Sequence, residues 1–417
     1  MTPAELVVVA EAVHTPDERL APGWVHVRDD RIVAVGSGPP RESGVPVERL
    51  PEGALLAPGF VDLHVHGGGG AQVGPDAEAI AEVARFHARH GTTALLATTV
   101  PASEAALTET LRAIALVAGE TPGDRARVLG SHLEGPFVSP ARPGALEVRH
   151  LRAPDRAELG RLLDAGAGTV RTIVVAPELP GALDLVAAAA GAGVLVALGH
   201  TDATYAEALA GIEHGARAAT HLFNAMRTLH HREPGVIGAA LADARVTAEL
   251  IADGVHVHPA VLALAHAAKG ARGAALVTDA MQAAGLPDGD YALGDQAIVV
   301  AGTEARTAAG ALAGSTLTMD RAVRVAVEQA GIPLADALTM ASTTPAALLR
   351  LGDSAGRIAP GARADLVVLD AQLRAVGTMV GGRWAFRAGQ ARNDPRTPSA
   401  GPATAPASSS ARISSAE

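Results

Sequence analysis

Five short motifs in a fixed order hold the residues best able to do chemistry. They are His64-Val65-His66, Glu134 in HLEGPF, His200 in GHTDA, His221 in THLFNAM and Asp279 in VTDAM. Each closes a short apolar run that reads as a β-strand. Together they offer imidazole nitrogens and carboxylate oxygens to a divalent metal, and one further carboxylate placed to handle a proton. Ligands delivered from successive strand ends point to metal-assisted chemistry in the mouth of a parallel barrel.

His64 and His66 lie two apart, so on a strand both side chains point the same way. At the end of a barrel strand that direction is into the mouth. A lone His-x-His can also arise from polar alternation, but Asp62 precedes this one and Gly67–Gly70 follow it. A glycine run lets backbone fold tightly beside a ligand. Glu134 ends the third strand just before Gly135-Pro136. A single Glu there is usually a surface acid; in this company it could ligate one ion or bridge two. Some metal barrels bridge their ions with a carbamylated lysine from a mid-barrel strand. Lys269 is the only lysine in this chain, and it follows the seventh strand at a helix end. Glu134 is therefore the best-placed bridging side chain.

His200 and His221 end strands five and six. One histidine at a strand end is more often a hydrogen-bonded structural group; two on adjacent strands converge. That is a tetrahedral zinc arrangement, with His–metal bonds of about 2.0–2.1 Å and one position open for water. Asp279 ends strand eight, which adjoins strand one in a closed barrel, so its carboxylate can face His64 and His66. It can take a proton from water and return it to a leaving group; a helix or turn cap is the competing role. His256 ends strand seven, and Asn224, Ala225 and Arg232 follow strand six. A guanidinium fork suits phosphate, although on spacing alone Arg232 reads as a solvated charge. His14, His26, His87, His90, His214, His230 and His266 receive no role.

The elements that must position these residues alternate. Strand-like runs cover 60–65, 91–100, 128–134, 169–178, 193–200, 217–222, 246–253 and 274–279, and most gaps carry an Ala-rich helical pattern. Eight βα units over about 250 residues predict an α/β fold, a TIM (β/α)8 barrel, over 58–350. A β-hairpin insertion is expected at 288–310, then helices near 316–330 and 334–350. Strand texture at 6–10 and 24–36, with a turn at Asp29-Asp30, matches strand texture at 364–370 and 376–389. Pairing the two sets predicts a small β-sandwich-like domain built from both chain ends, 1–57 and 351–390. Residues 391–417, rich in Pro, Ser and Ala, read as a disordered tail.

Composition narrows the chemistry. Apolar residues make up 48% of the chain and aromatics 2%, so a large core must be built from Ala, Val and Leu. With no cysteine, disulfides, thiolate ligands and cysteine nucleophiles are excluded. Histidines and carboxylates must hold any metal, which suits zinc or iron. A net charge of −10 without a dense arginine cluster argues against nucleic acid. No apolar run of about 18 residues predicts a membrane span, and the N-terminus lacks the features of a signal segment; the expectation is a soluble cytoplasmic protein.

HLEGPF, LGHTDA, THLFNAM, REPG, ADGVHV and VTDAM, in this order over about residues 5–390, resemble the N-acetylglucosamine-6-phosphate deacetylase family of the amidohydrolase superfamily. The resemblance implies a distorted TIM (β/α)8 barrel with the small β domain, and hydrolysis of an N-acetyl amino-sugar phosphate with one or two divalent ions per subunit. It implies that Glu134, His200 and His221 hold the main ion, that His64 and His66 hold a second, and that Asp279 is general base and then acid. Asn224, the Ala225 backbone and His256 would contact the sugar phosphate. Arg232 would reach the phosphate in a neighbouring subunit, which implies a homodimer. One position departs. The family usually continues after EGPF to Gly-Ala-His, whose histidine hydrogen-bonds substrate; this chain has Gly144-Ala145-Leu146. Either His150 substitutes or the interaction is missing.

Overall fold

The alternating runs fold as eight parallel strands: β1 Phe60–Val65, β2 Thr92–Thr99, β3 Arg127–Leu133, β4 Val170–Val175, β5 Leu195–Leu198, β6 Ala218–Ala219, β7 Thr247–Ile251 and β8 Ala274–Val277. They lie side by side in chain order in this computed structural model, which describes residues 5–40, 44–120 and 123–389. A helix follows each strand: α1 Ala77–Ala88, α2 Glu104–Ala118, α3 Arg156–Ala165, α4 Ala182–Gly191, α5 Tyr205–Glu213, α6 Gly235–Ala242, α7 Pro259–Lys269 and α8 Met319–Glu328. Strands covered by helices outside and by the barrel interior inside are apolar on both faces. All six residues of β1 and all eight of β2 are buried accordingly.

The ring closes at a narrow seam. Val65 bridges Ala280 in parallel, and the Asp279 N–H donates to the His64 carbonyl at 2.9 Å. The buried Asp62 carboxylate accepts the Thr278 N–H at 3.2 Å and its hydroxyl at 2.6 Å. These few links replace a full ladder between β8 and β1, so the barrel is nearly closed and distorted. Of the five phenylalanines, Phe60 and Phe137 rank among the largest fully buried side chains. Aliphatic residues fill the rest of the core, as the composition requires.

The chain ends build two further sheets. One has the order 31–37, 23–28, 5–10, 47–49, with the expected turn at Asp29-Asp30. The other has the order 383–387, 375–380, 366–369, 55–58, 12–14, 19–20. Its centre pairs Leu366 with Pro58 and Leu369 with Leu55, which joins the two chain ends. Val8, Val25, Ile32, Leu56, Leu366 and Met379 pack between the sheets as a core of their own. We propose 1–57 with 351–390 as the small domain and 58–350 as the barrel. The described chain through Arg387 forms one compact unit. The tail expectation for 391–417 lies outside the described residues.

Two elements differ from expectation. The insertion is a three-stranded meander, Gly289–Leu293, Gln296–Ala301 and Glu304–Thr307. Its third strand, EART, is too short and charged to announce itself. The helix expected over 334–350 splits into Leu334–Ala341 and Thr343–Leu348. Pro345 has no N–H for the Ala341 carbonyl, and the Ser342 hydroxyl bonds back to the Leu338 carbonyl at 2.6 Å. No helix among the described residues is long and apolar enough to cross a membrane.

Candidate metal centre and proton-transfer site

The five expected ligands and Asp279 meet at the C-terminal mouth of the barrel, and all six are buried. They form two groups, His64–His66–Asp279 and Glu134–His200–His221, each with its ligand atoms within 4.8 Å of one another. Glu134 joins the groups. Its Oε1 lies 3.1 Å from His200 Nε2, 3.0 Å from His221 Nε2 and 3.4 Å from His64 Nε2. Its Oε2 lies 3.2 Å from His66 Nε2. Asp279 Oδ1 stands 3.4 Å from His64 Nε2 and 3.3 Å from His66 Nε2. The strand ends turn sharply to achieve this: His200, His221 and Asp279 sit at φ 46°, 29° and 50°. Non-glycine residues rarely adopt that region, and they do so where the surroundings dictate it, often at functional sites.

The ring tautomers fit a cation. His200 Nδ1 faces the Arg142 carbonyl at 3.1 Å, so Nδ1 carries the proton and Nε2 presents a lone pair. The Thr220 hydroxyl donates to Glu249 Oε2 at 2.9 Å, so its oxygen accepts from His64 Nδ1 at 3.2 Å. His64 Nε2 is thereby left bare as well. Yet His64 Nε2 lies 3.1 Å from His66 Nε2, and His200 Nε2 lies 3.1 Å from His221 Nε2. At that separation each pair shares a proton or a cation, and among the described residues nothing at His66 Nδ1 or His221 Nδ1 fixes the tautomer of the second ring. The donor set, imidazole nitrogen with carboxylate oxygen and no sulfur, suits zinc or iron.

The field at the centre is set by two buried carboxylates among four imidazoles. Burial pushes Glu134 upward, but His64, His200 and His221 beside it win and hold it well below the usual carboxylate range. Burial likewise opposes ionisation of Asp279, and His64 and His66 hold it at about 2. Burial pushes His64 down. His66 is also penalised by burial, yet Asp279 and Glu134 raise it to about 10. A deprotonated Asp279 beside the ligands is the state a proton acceptor requires.

A cavity of about 180 Å³ opens over this centre. Its walls include His256, Asn224 and Ala225, so those three expected positions converge on the ligands. His256 Nδ1–H donates to Asp253 at 2.6 Å, leaving Nε2 available. Leu146 also lines the cavity, only 7% exposed, against Val138, Val174, Ala197 and Ala218. His150 does not take its place: its ring lies outside the lining, 3.6 Å from Asp295. Arg232 is exposed, rests on His231 at 2.9 Å and is outside this chain's own cavity. Lys269 caps α6 through the Ala240 and Asp243 carbonyls, away from the ligands as expected.

Several supporting residues escape sequence reasoning. Thr220 and Glu249 fix the His64 tautomer, and His132 donates to the Leu63 carbonyl at 2.9 Å while packing edge-on against His64. His87, given no role, is fully buried and donates from Nε2 to the Gly67 carbonyl at 2.9 Å. It braces the glycine run that follows His66. Its signal was present: Ile80, Val83, Ala84 and His87 form one helical stripe.

Residues 55–385 match the amidohydrolase family. An N-acetylgalactosamine-6-phosphate deacetylase from Escherichia coli O157:H7 is 43% identical over 76% of this chain and 84% of its own. The N-acetylglucosamine-6-phosphate deacetylase of Bacillus subtilis is 35% identical over 92% of this chain and 98% of its own. Among solved structures, a mutant N-acetyl-D-glucosamine-6-phosphate deacetylase from Mycobacterium smegmatis, in complex with N-acetyl-D-glucosamine-6-phosphate, superposes with a TM-score of 0.86. It is 42% identical, covering 92% of this chain and all of that one.

Proposed function

Because this chain belongs to the amidohydrolase family, and within it groups with the amino-sugar phosphate deacetylases, we infer that it is a metal-dependent deacetylase. It hydrolyses N-acetyl-D-glucosamine 6-phosphate to glucosamine 6-phosphate and acetate. The observation that carries this reading is the union, in one buried mouth, of two ligand groups joined by Glu134 with an ionised carboxylate 3.3 Å from His66.

Glu134, His200 and His221 would hold the main ion, and His64 with His66 a second. Zinc or iron best suits these donors. A divalent ion there supplies Lewis acidity toward the acetyl carbonyl and the attacking water. Asp279 takes the proton of that water as the C–O bond forms. It then delivers the proton to the amide nitrogen as the C–N bond breaks, so an amine leaves rather than an amide anion. Asn224, the Ala225 backbone and the Asp253-oriented His256 hold the sugar phosphate. Arg232, exposed and outside its own chain's cavity lining, would serve the phosphate in a partner subunit, and the enzyme would then be a homodimer.

The decisive assay is acetate release from N-acetylglucosamine 6-phosphate by the metal-loaded protein, with turnover expected and its absence refuting the reading. A second reading is favoured by one observation, the 43% identity to a deacetylase named for the galactosamine sugar. Comparing kcat/KM for the two C4 epimers decides between them.

A further inference from the structure

A second cavity lies at the opposite end of the barrel. It encloses about 460 Å³, and its lining includes Arg171, Arg217, Arg245 and Arg350 but no carboxylate. Arg171 is the second residue of β4, Arg217 immediately precedes β6, and Arg245 lies two residues before β7. Arg350 follows the helix Thr343–Leu348. The four therefore come from four separate segments onto the N-terminal ends of the strands. At about 3.3 Å per residue, a barrel strand's length separates them from the metal centre, and the two cavities share no lining residue.

These guanidinium groups are unevenly neutralised. Arg245 pairs with Asp243 at 2.6 Å and Glu213 at 2.8 Å. Among the described residues, Arg171, Arg217 and Arg350 make no ion pair. Arg171 donates one bond to the Leu349 carbonyl at 3.3 Å, and Arg217 donates from Nη1 to the Ile212 and Ala216 carbonyls. The rest of both forks is free. Arg171 also lines an adjoining cavity with Glu120, Arg127 and Arg363, and there Arg127 and Arg363 are answered by Asp365 at 2.8 and 3.4 Å. In a chain of net charge −10, three arginines without an ion pair beside a paired fourth, all lining one cavity, suit an anion. Arg350 strengthens the case. It sits at φ 55°, just past a helix end, where glycine is the favoured residue. The chain accepts a strained arginine at the cavity wall instead.

We propose that this cavity binds a phosphate monoester. Arg171, Arg217 and Arg350 take the phosphate, because guanidinium forks match its paired oxygens. The apolar wall of Val194, Leu195 and Leu349 takes the organic part, for which the volume leaves ample room beside a phosphate.

Calorimetric titration of the metal-loaded enzyme with glucosamine 6-phosphate and with inorganic phosphate tests this. Wild type is expected to show two classes of site for the sugar phosphate. Arg350→Gly suits the backbone and should keep or raise Tm, yet it should weaken one class at least about tenfold, the loss of one charge-assisted contact. KM for the deacetylase reaction should not change. Arg171→Gln should act the same way. A single class in wild type, or unchanged titrations in both variants, overturns the proposal. Equal affinity for inorganic phosphate at this site overturns the assignment of an ester.

Discussion

The backbone N–H of Asp279 donates to the carbonyl of His64 at 2.9 Å, so a proposed proton carrier and a proposed metal ligand are fixed to each other across the barrel seam. The Asp279 carboxylate is thereby aimed at the ligands without depending on a flexible loop. Asp279→Asn keeps this backbone bond and cannot shuttle a proton. Its turnover should fall roughly 10²–10⁴-fold while metal bound by Glu134, His200 and His221 remains. Near wild-type turnover would remove Asp279 from its role.

Leu146 lines the site where the family resemblance implies a histidine donor, and His150 is turned toward Asp295 instead. Leu146→His should raise kcat/KM by about 0.5–1.5 kcal/mol in transition-state terms, the net worth of one hydrogen bond. The same change buries a polar ring among Val138, Val174 and Ala197 and should lower stability by about 1–3 kcal/mol. His150→Ala should leave the kinetics alone. A loss of activity in His150→Ala would show that this loop rearranges when substrate binds.

The convergence of the candidate ligands was legible because each ends an apolar run in a regular βα series. Position in the series alone places such residues at one mouth. Strand six was marked as much by this periodicity as by content, since only Ala218–Ala219 form ladder bonds there. The supporting residues were hidden for a different reason. Thr220, Glu249 and His132 matter through contacts between strands, which no local pattern encodes. Asp62 was noticed as a neighbour of His64, but its bond to Thr278 spans the seam between first and last strands. The barrel's other basic cavities were invisible too, because their arginines are scattered over the whole chain.

His87 gives a pH test. Burial pushes its pKa from 6.5 to about 4, so on acidification the unfolded chain takes up this proton first. Stability from neutral His87 is complete above about pH 6.5, declines between 6.5 and 4, and is gone below 4. The difference amounts to about 3 kcal/mol. Denaturant unfolding of wild type and His87→Asn should therefore show a stability gap that shrinks across that window as pH falls. A gap constant with pH would contradict a buried neutral imidazole.

Arg232 stands exposed outside its own cavity. If it serves a partner's phosphate, Arg232→Ala should fail mainly through KM. Mixing Arg232→Ala with Asp279→Asn under subunit exchange makes heterodimers in which one site carries both defects and the other none. Activity should partly return. A mixture that stays inactive despite confirmed exchange would place Arg232 in its own chain's service or in none.

The most direct test of the metal-dependent deacetylase is steady-state kinetics on N-acetylglucosamine 6-phosphate before and after chelation, with metal content measured alongside. Wild type should turn over, lose activity as the ion is removed, and recover it when zinc or iron is restored. Full activity in protein shown to be metal-free, or none in protein shown to be loaded, would contradict it.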